Sequence, residues 1–557
     1  MASDISLENV LRKCGDLSRH QIIHYIFLNL ITLGSGITTY YYVFGVAEPS
    51  YRCRLSLNTS LDDDQYQSVN IAYQNMSNQL QQSSKCYDLN GSICKDFVYD
   101  RSVFGRTFTE EGNYICQNAL KKTWLSTMYQ VGGFVVLLTG YISDKVGRQK
   151  MIRILTIMLF MIPFITQILL QTILENVNIK FILLSINQLF SSIDAYPMVF
   201  LLLMELTSSS HTSLAGNSAV IGFTIGEGVI TLFAHIARDW LRLKWIITGY
   251  FALILPYLYF VPESPYWLFS KKKYNQLEVC LRKIAKTNGH SDEEWHPYYK
   301  QLIYNPRLVL LSRKHASRTS KELILHYLPR LSICAFIGCV TMLLYIKISY
   351  GLGAMSDAVS PYWNIIIGAI VEGIGYICAS ILITTKLGRK YSFILFSILT
   401  CICVLFIPLI MKSYPIATII ISQIGKLAIS AEVLITWIYV PEIFPISIRG
   451  VSNGVFVFAG RIGAILAPII DVSLGNKYIK ITFYIYSILT IIQIISIYTL
   501  PETRNRSFHT EEDEENDSDD QDLFVFGNQI EKLNETIIRP IPIILRSSRV
   551  DVLHTQF

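Results

Sequence analysis

Long apolar runs alternate with short polar connectors along most of this chain. A bilayer has a hydrocarbon core of ~30 Å, and a helix rising 1.5 Å per residue needs ~20 nearly uncharged apolar residues to cross it. Twelve runs meet that demand and predict spans at 22–44, 124–142, 152–173, 179–204, 216–236, 245–261, 329–348, 363–384, 393–411, 416–440, 450–472 and 481–500. A membrane barrel would need strands of about ten alternating residues, and these runs are longer and apolar on every face. The first run has no small-residue cleavage site after it, so it reads as a retained span rather than a signal peptide.

The connectors set an orientation. Lys145, Arg148 and Lys150 separate spans 2 and 3, Lys386, Arg389 and Lys390 separate spans 8 and 9, and many more basic residues lie between Lys271 and Lys321. Short loops rich in Lys and Arg stay in the cytoplasm. The connectors 174–178 and 349–362 carry neither residue and read as outside, whereas Arg238, Arg242 and Lys244 before span 6 run against the rule. The expected organisation is a cytoplasmic N-terminus (1–21), a six-span half (22–261) with an extracellular loop (45–122), a cytoplasmic linker (262–328), a second six-span half (329–500) and an acidic cytoplasmic tail (501–557). The loop carries glycosylation sequons at Asn58, Asn75 and Asn90 and four cysteines, Cys53, Cys86, Cys94 and Cys116. An oxidising compartment would join these in two disulfides, with three connectivities open. The run from Glu511 to Asp522 is acidic enough to stay solvated by self-repulsion.

Composition narrows the class further. Of 557 residues only 16% are charged and 51% are hydrophobic, against about 25% charged in soluble proteins. Soluble enzyme, fibrous, disordered and small disulfide-scaffold classes fall away. The net charge of +6 is scattered between apolar segments, so no cationic face for nucleic acid is expected.

Three motifs recur at nearly one offset. Gly147-Arg148 answers Gly388-Arg389 (388 − 147 = 241), Glu205 answers Glu442 (442 − 205 = 237), and Pro262-Glu263 answers Pro501-Glu502 (501 − 262 = 239). Two parallel six-span halves are implied, the arrangement in which a central site lies between bodies that rock against each other.

Gly140-Tyr-Ile-Ser-Asp144-Lys-Val-Gly147-Arg148-Gln-Lys150 resembles the loop 2–3 signature of the major facilitator superfamily. Pro262-Glu-Ser-Pro-Tyr-Trp-Leu268 and Pro501-Glu-Thr-Arg504 resemble its sugar-porter and organic-ion branches. The cysteine-bearing first loop, Arg238-Asp239-Trp240, the segment from Leu268 to Asn288 and that from Ala431 to Gly450 are similar to the organic cation, organic anion and carnitine transporters, solute carrier family 22. The resemblance covers about residues 7 to 507. It implies an all-α membrane protein of twelve helices, at the plasma membrane, moving small organic ions by alternating access through facilitated diffusion or exchange.

A charge inside a bilayer span costs several kcal/mol unless it meets a partner or a wet cavity, which makes each one a functional candidate. The mid-span charges are Asp194, Glu372, Lys426, Glu432 and Arg461, and Glu227 reads as nearer the outer side. Glu372 stands where the resembled family carries the acid of its cation transporters. Tyr345, Tyr350, Tyr129 and Trp437 could add aromatic faces, each worth roughly 0.5–2 kcal/mol to a cation, although ordinary packing explains such residues as well. Arg461 stands where anion and carnitine carriers place an arginine, so Glu372 with Arg461 would suit a zwitterion; the competing reading pairs Arg461 with Glu432 or Glu372. An organic cation or a zwitterion such as carnitine is favoured, with an organic anion as the third option.

Asp144 and Arg148 can set a carboxylate at a neighbouring helix N-terminus and a guanidinium on a facing acid, closing an inner gate. Glu442 and Arg449 would form the matching cluster in the second half. Thr385 replaces Asp144 there, and Thr212 replaces Arg449 in the first half, so a lopsided latch is expected. No phosphate-cradling loop, metal-ligand cluster or nucleophile elbow is present in the sequence. Neither catalysis nor ATP-driven pumping is expected, and no cofactor. The partners implied are a small organic ion and the bilayer, and the sequence sets no oligomeric state. Two other readings stand beside this one, a sugar-type porter and a membrane glycoprotein that binds ligands without transporting them.

Overall fold

Each predicted apolar run forms a helix in the computed structural model, and most helices overrun the run by a few residues. The structure describes residues 6–54, 86, 94, 96–172, 176–208, 211–304, 320–354, 360–411, 413–474 and 479–503. The sequons Asn58, Asn75 and Asn90, residue Arg504 and the acidic tail lie outside the described residues, as do the side chains of Thr212 and Tyr350. The twelve helices long and apolar enough to cross a membrane begin with span 1 at Arg19–Gly45 and end with span 12 at Lys480–Tyr498. Asp239 shows how an end is fixed: its Oδ1 accepts from the N–H of Leu241 at 2.9 Å and of Arg242 at 3.0 Å, capping span 6.

Two spans are interrupted where the sequence reads as continuous. Span 2 runs Ala119–Gly132, tightens to a 3₁₀ turn at Gly133–Val135 and resumes at Val136–Val146. Span 4 stops at Ser191 and restarts at Tyr196, leaving Asp194 on irregular backbone. Span 7 differs in the other direction, since its helix runs Ser320–Ala354 and begins nine residues before the predicted start (329 − 320).

The halves pack inwardly by close backbone approach. A Cβ on Gly36 would lie 2.2 Å from the Phe223 carbonyl oxygen and one on Gly226 2.2 Å from that of Leu33, so only glycines let spans 1 and 5 meet. Between the halves, span 5 (Thr212–Ala237) packs on span 8 (Pro361–Thr384), and the end of span 2 packs on span 11 (Ile446–Leu474).

The long first loop is a small structured unit. Tyr51–Cys53 pairs antiparallel with Phe97–Tyr99, and of the three connectivities the structure forms Cys53–Cys94 and Cys86–Cys116. Glu111 anchors it on the helices, accepting from Lys180 of span 4, from Trp240 Nε1 at 2.9 Å and from Arg106 at 3.3 Å. The linker, expected as a connector, is itself helical at Pro265–Ser270, Tyr274–Asn288 and Asp292–Ile303. Helix Leu7–Lys13 docks on it, and Leu7, Val10, Leu11, Trp267, Leu281 and Trp295 make a second apolar core. Asn288 ties that core to the end of span 1, accepting from the His20 N–H at 2.8 Å and donating to the Cys14 carbonyl at 3.0 Å.

Candidate functional site

The centre of the molecule holds three buried charges from three spans. Lys426 of span 10 (Pro415–Ile443) places its Nζ 3.1 Å from Glu227 Oε1 and 3.4 Å from Glu372 Oε2. All three side chains are buried, so each must find its polar partners inside the protein. Glu372 finds the most. Tyr345 donates to its two oxygens at 3.1 Å each, Tyr376 to Oε1 at 2.7 Å and Thr224 to Oε1 at 3.3 Å. Gly368 makes room for the ammonium, since a Cβ there would lie 2.7 Å from Lys426 Nζ. Tyr40 extends the network, its hydroxyl 3.3 Å from that of Tyr345.

The sequence pointed to Glu372, Lys426 and Tyr345 in this cluster and read Glu227 as nearer the outer side. In the structure Glu227 sits 3.1 Å from Lys426 and belongs to the same cluster. Tyr376 follows Glu372 by one helical turn, a spacing visible in the sequence. Tyr40 and Thr224 carried no signal of their own. Trp437 packs on Tyr196 and Phe200 with ring centroids at 5.2 Å each and on Phe456 at 5.7 Å, an aromatic wall. Tyr129 instead shares a hydrogen bond with Thr39, 2.8 Å between the hydroxyls.

A second charged cluster lies within spans 2, 4 and 11. Arg461 donates to Gln130 Oε1 at 3.1 Å and is in electrostatic contact with Asp194, whose carboxylate also accepts from Ser35 and from the Tyr196 N–H. The two interruptions serve this cluster. A Cβ on Gly133 would lie 2.6 Å from Arg461 Nε, so the glycine leaves space for the guanidinium. The break in span 4 turns Asp194 into a helix-end carboxylate, and non-helical backbone inside a membrane is tolerated where protein buries it or a cavity borders it. Here Asp194, Pro197, Thr139 and Arg461 line a small cavity.

Pairing of Arg461 with Glu432 or Glu372 is therefore not what forms. Glu432 stands apart from both clusters, with Thr400 donating to it at 2.5 Å and Gln493 at 3.1 Å, and Gln493 also holds Thr341 at 2.9 Å. Hydroxyl and amide groups satisfy this acid inside the second half.

At the linker end of the spans the repeated motifs coincide in space. Arg148 grips Glu205 through Nε at 3.2 Å and Nη2 at 3.3 Å, and Asp144 through Nη1 at 2.8 Å. Arg389 reaches Glu442 at 3.0 Å. Glu263 accepts from the N–H of Arg148 at 2.9 Å and of Gln149 at 3.1 Å, while Glu502 accepts from those of Arg389 and Lys390 at 3.0 Å each. Each of these acids caps the helix after its Gly-Arg motif. Gly147 at φ +112° and Gly388 at φ +72° hold the turns that present those N–H groups. Glu263 and Glu502 were visible as a repeat, but not as caps.

The second-half cluster differs from expectation. Glu442 takes Arg389 and the Thr503 hydroxyl at 2.6 Å, while Arg449 donates to the Pro441 carbonyl at 3.0 Å and lies in electrostatic reach of Glu205, Glu442 and Asp144. Thr385 closes its own helix by donating to Leu382 at 2.6 Å. Asp144 is the bridge to the other half, since a Cβ on Gly450 would lie 2.4 Å from its carboxylate oxygens. Gly450 lies one turn into span 11, close enough to the helix start for its dipole to favour a carboxylate. At the opposite end Tyr362 of the second half meets Phe44 at 5.2 Å and donates to the Val103 carbonyl at 3.2 Å. Contacts therefore join the halves at both ends.

The chain matches the family model "Sugar (and other) transporter" over residues 67–514. It is 26% identical to human organic cation/carnitine transporter 2 over 88% of this chain and 90% of that protein. It is 25% identical to the organic cation transporter protein of Drosophila melanogaster over 91% and 94% of the two. The xylose transporter XylE from E. coli in a partially occluded, inward-open conformation superposes with a TM-score of 0.58 at 16% identity, covering 88% of this chain and 100% of that one.

Proposed function

Since the chain belongs to the sugar (and other) transporter family and, within it, to solute carrier family 22 of the major facilitator superfamily, a multi-pass membrane transporter and no enzyme, we propose that it carries small organic cations or zwitterions. The carrying observation is the Glu227–Lys426–Glu372 cluster between the halves. Two carboxylates against one ammonium leave one negative charge when all three are ionised. An arriving organic cation satisfies that surplus, and the rings of Tyr345, Tyr376 and Trp437 supply faces that attract it without binding water tightly. The names of the relatives, organic cation and carnitine transporters, agree with this class.

The cycle follows from the contacts at the two ends. A cation that draws Glu372 away from the Thr224 hydroxyl loosens a mid-membrane tie between span 5 and span 8, and the ends then exchange closure. On the linker side, Asp144 leaving span 11 opens the path; on the loop side, Tyr362 leaving Phe44 and Val103 does so. A carnitine-like zwitterion would set its ammonium at Glu372 and its carboxylate on Arg461, whose planar fork suits a carboxylate. Residence in the plasma membrane, with the disulfide-bearing loop outside, belongs to the same reading.

The test is uptake into cells expressing the full chain, with a quaternary ammonium, carnitine and an aromatic carboxylate in parallel. Glu372→Gln should abolish cation uptake at unchanged surface level, while Arg461→Ala should spare the quaternary ammonium and remove carnitine. Uptake of the aromatic carboxylate alone would refute the cation reading, and a correctly delivered chain that transports none of the probes would refute organic-ion transport.

A further inference from the structure

Where span 1, the end of span 6 and linker helix Tyr274–Asn288 meet, two depressions lie side by side and share a wall made by His20, Phe260 and Lys283. They differ in chemistry. Lys150 and Lys273 line the first together with Lys283. All three lysines are exposed, and none enters an ion pair among the described residues. The Lys273 Nζ lies over the Trp267 ring, 4.4 Å from its centroid, a contact that positions the ammonium at the depression without neutralising its charge. The acid on this wall, Glu263, is committed to the N–H groups of Arg148 and Gln149.

The second depression is apolar, bordered by Phe27 and Leu253 on the outward faces of spans 1 and 6 and floored by the buried Tyr257. Leu253 is 82% exposed and Phe260 59%, as side chains facing hydrocarbon are. At the shared wall His20 is only 3% exposed, and its Nε2 has no hydrogen-bond partner. A buried polar atom left unpaired is costly, so one beside an opening marks a place for a ligand atom.

The occupant that fits both depressions has an anionic head and an apolar tail joined at the wall. We propose that this is a site for one anionic phospholipid of the leaflet on the linker side. Its phosphate lies among Lys150, Lys273 and Lys283, an acyl chain lies on Phe27 and Leu253, and His20 meets a head-group oxygen. Basic recesses beside membrane helices hold such head groups by charge. The lipid would pin the linker helix to the membrane face of the first half. None of this depends on which substrate is carried.

Full-length protein in mild detergent, offered phosphatidylserine and phosphatidylcholine of identical acyl chains, is examined by native mass spectrometry. The wild type should retain one phosphatidylserine in preference to phosphatidylcholine. Replacing Lys150, Lys273 and Lys283 by Gln singly should lower that preference about fivefold per lysine, the equivalent of ~1 kcal/mol each. These positions are on the surface, so folding is not at risk. Equal retention of the two lipids overturns the proposal, and so does a preference unchanged in the triple variant. Full displacement of the lipid by glycerophosphoserine, the head without its chains, would also overturn it, because the apolar wall would then contribute nothing.

Discussion

Lys426 and Glu227 stand 199 positions apart in the chain and 3.1 Å apart in space, an ion pair that crosses from one half to the other in mid-membrane. The partner that makes the pair a site is Glu372, 3.4 Å from the same ammonium.

Lys426→Met should be strongly destabilising, because it leaves two carboxylates facing each other away from water. Breaking a buried pair from one side costs ~3–5 kcal/mol, read as a fall in the thermal midpoint of the detergent-purified chain. Adding Glu227→Gln should restore a large part of the loss. If the two substitutions simply add, the pair is not coupled as its geometry demands.

Gly450→Ala tests the gate. The new methyl would lie 2.4 Å from the Asp144 carboxylate, so span 11 and span 2 must separate or the acid must turn away from Arg148. The expected outcome is a population shifted open on the linker side, seen as faster labelling of a cysteine introduced at Thr139 by a membrane-impermeant thiol reagent supplied from that side. Labelling at the wild-type rate would show that this contact does not hold the gate.

The twelve spans were legible because length and apolarity alone decide whether a helix crosses a bilayer. The partnership of Arg148 with Glu205 and of Arg389 with Glu442 was half legible, since a shared offset shows that two motifs correspond but not what they touch. The central pair was hidden: Glu227 and Lys426 lie in different halves, and neither has a local pattern that names the other. Asp194 was recognised as a charge within span 4, yet the break that frees its backbone was not, because the flanking residues read as one apolar run. Glu432 misled for a different reason. A buried acid signals cost, and Thr400 and Gln493 from neighbouring helices meet that cost with hydrogen bonds that spacing cannot reveal.

The disulfides predict a pattern of non-additivity. Closing loops of sequence separation 41 and 30 restricts the unfolded chain by ~4 kcal/mol each on the chain-entropy view. Cys86→Ala, Cys116→Ala and the double variant should therefore lower thermal stability equally, while Cys86→Ala combined with Cys53→Ala should lower it further. Non-reducing peptide mapping checks the pairing directly.

Asp16 predicts an acid-sensitive contact. Burial alone would raise its carboxyl, but hydrogen bonds from Ser208 and the neighbouring His211 outweigh it and hold the group below the usual carboxylate range. A carboxyl lowered in the folded state stabilises fully above its unfolded value, ~3.9, and loses that contribution as pH falls through the folded one. Hydrogen-exchange protection across Leu7–Lys13, taken relative to the intrinsic rate at each pH, should thus fall on acidification over that interval, and Asp16→Asn should flatten the dependence.

The docking of helix Leu7–Lys13 on the linker gives the two halves unequal freight. Asn288 fastens this cap to the foot of span 1, and Trp267 Nε1 donates to the Asp144 carbonyl at 3.0 Å, so cap and first half turn as a single rocker. An antibody fragment that grips the cap would take hold of one rocker and leave the other to swing. It would serve as a handle for watching the cycle rather than a wedge that stops it.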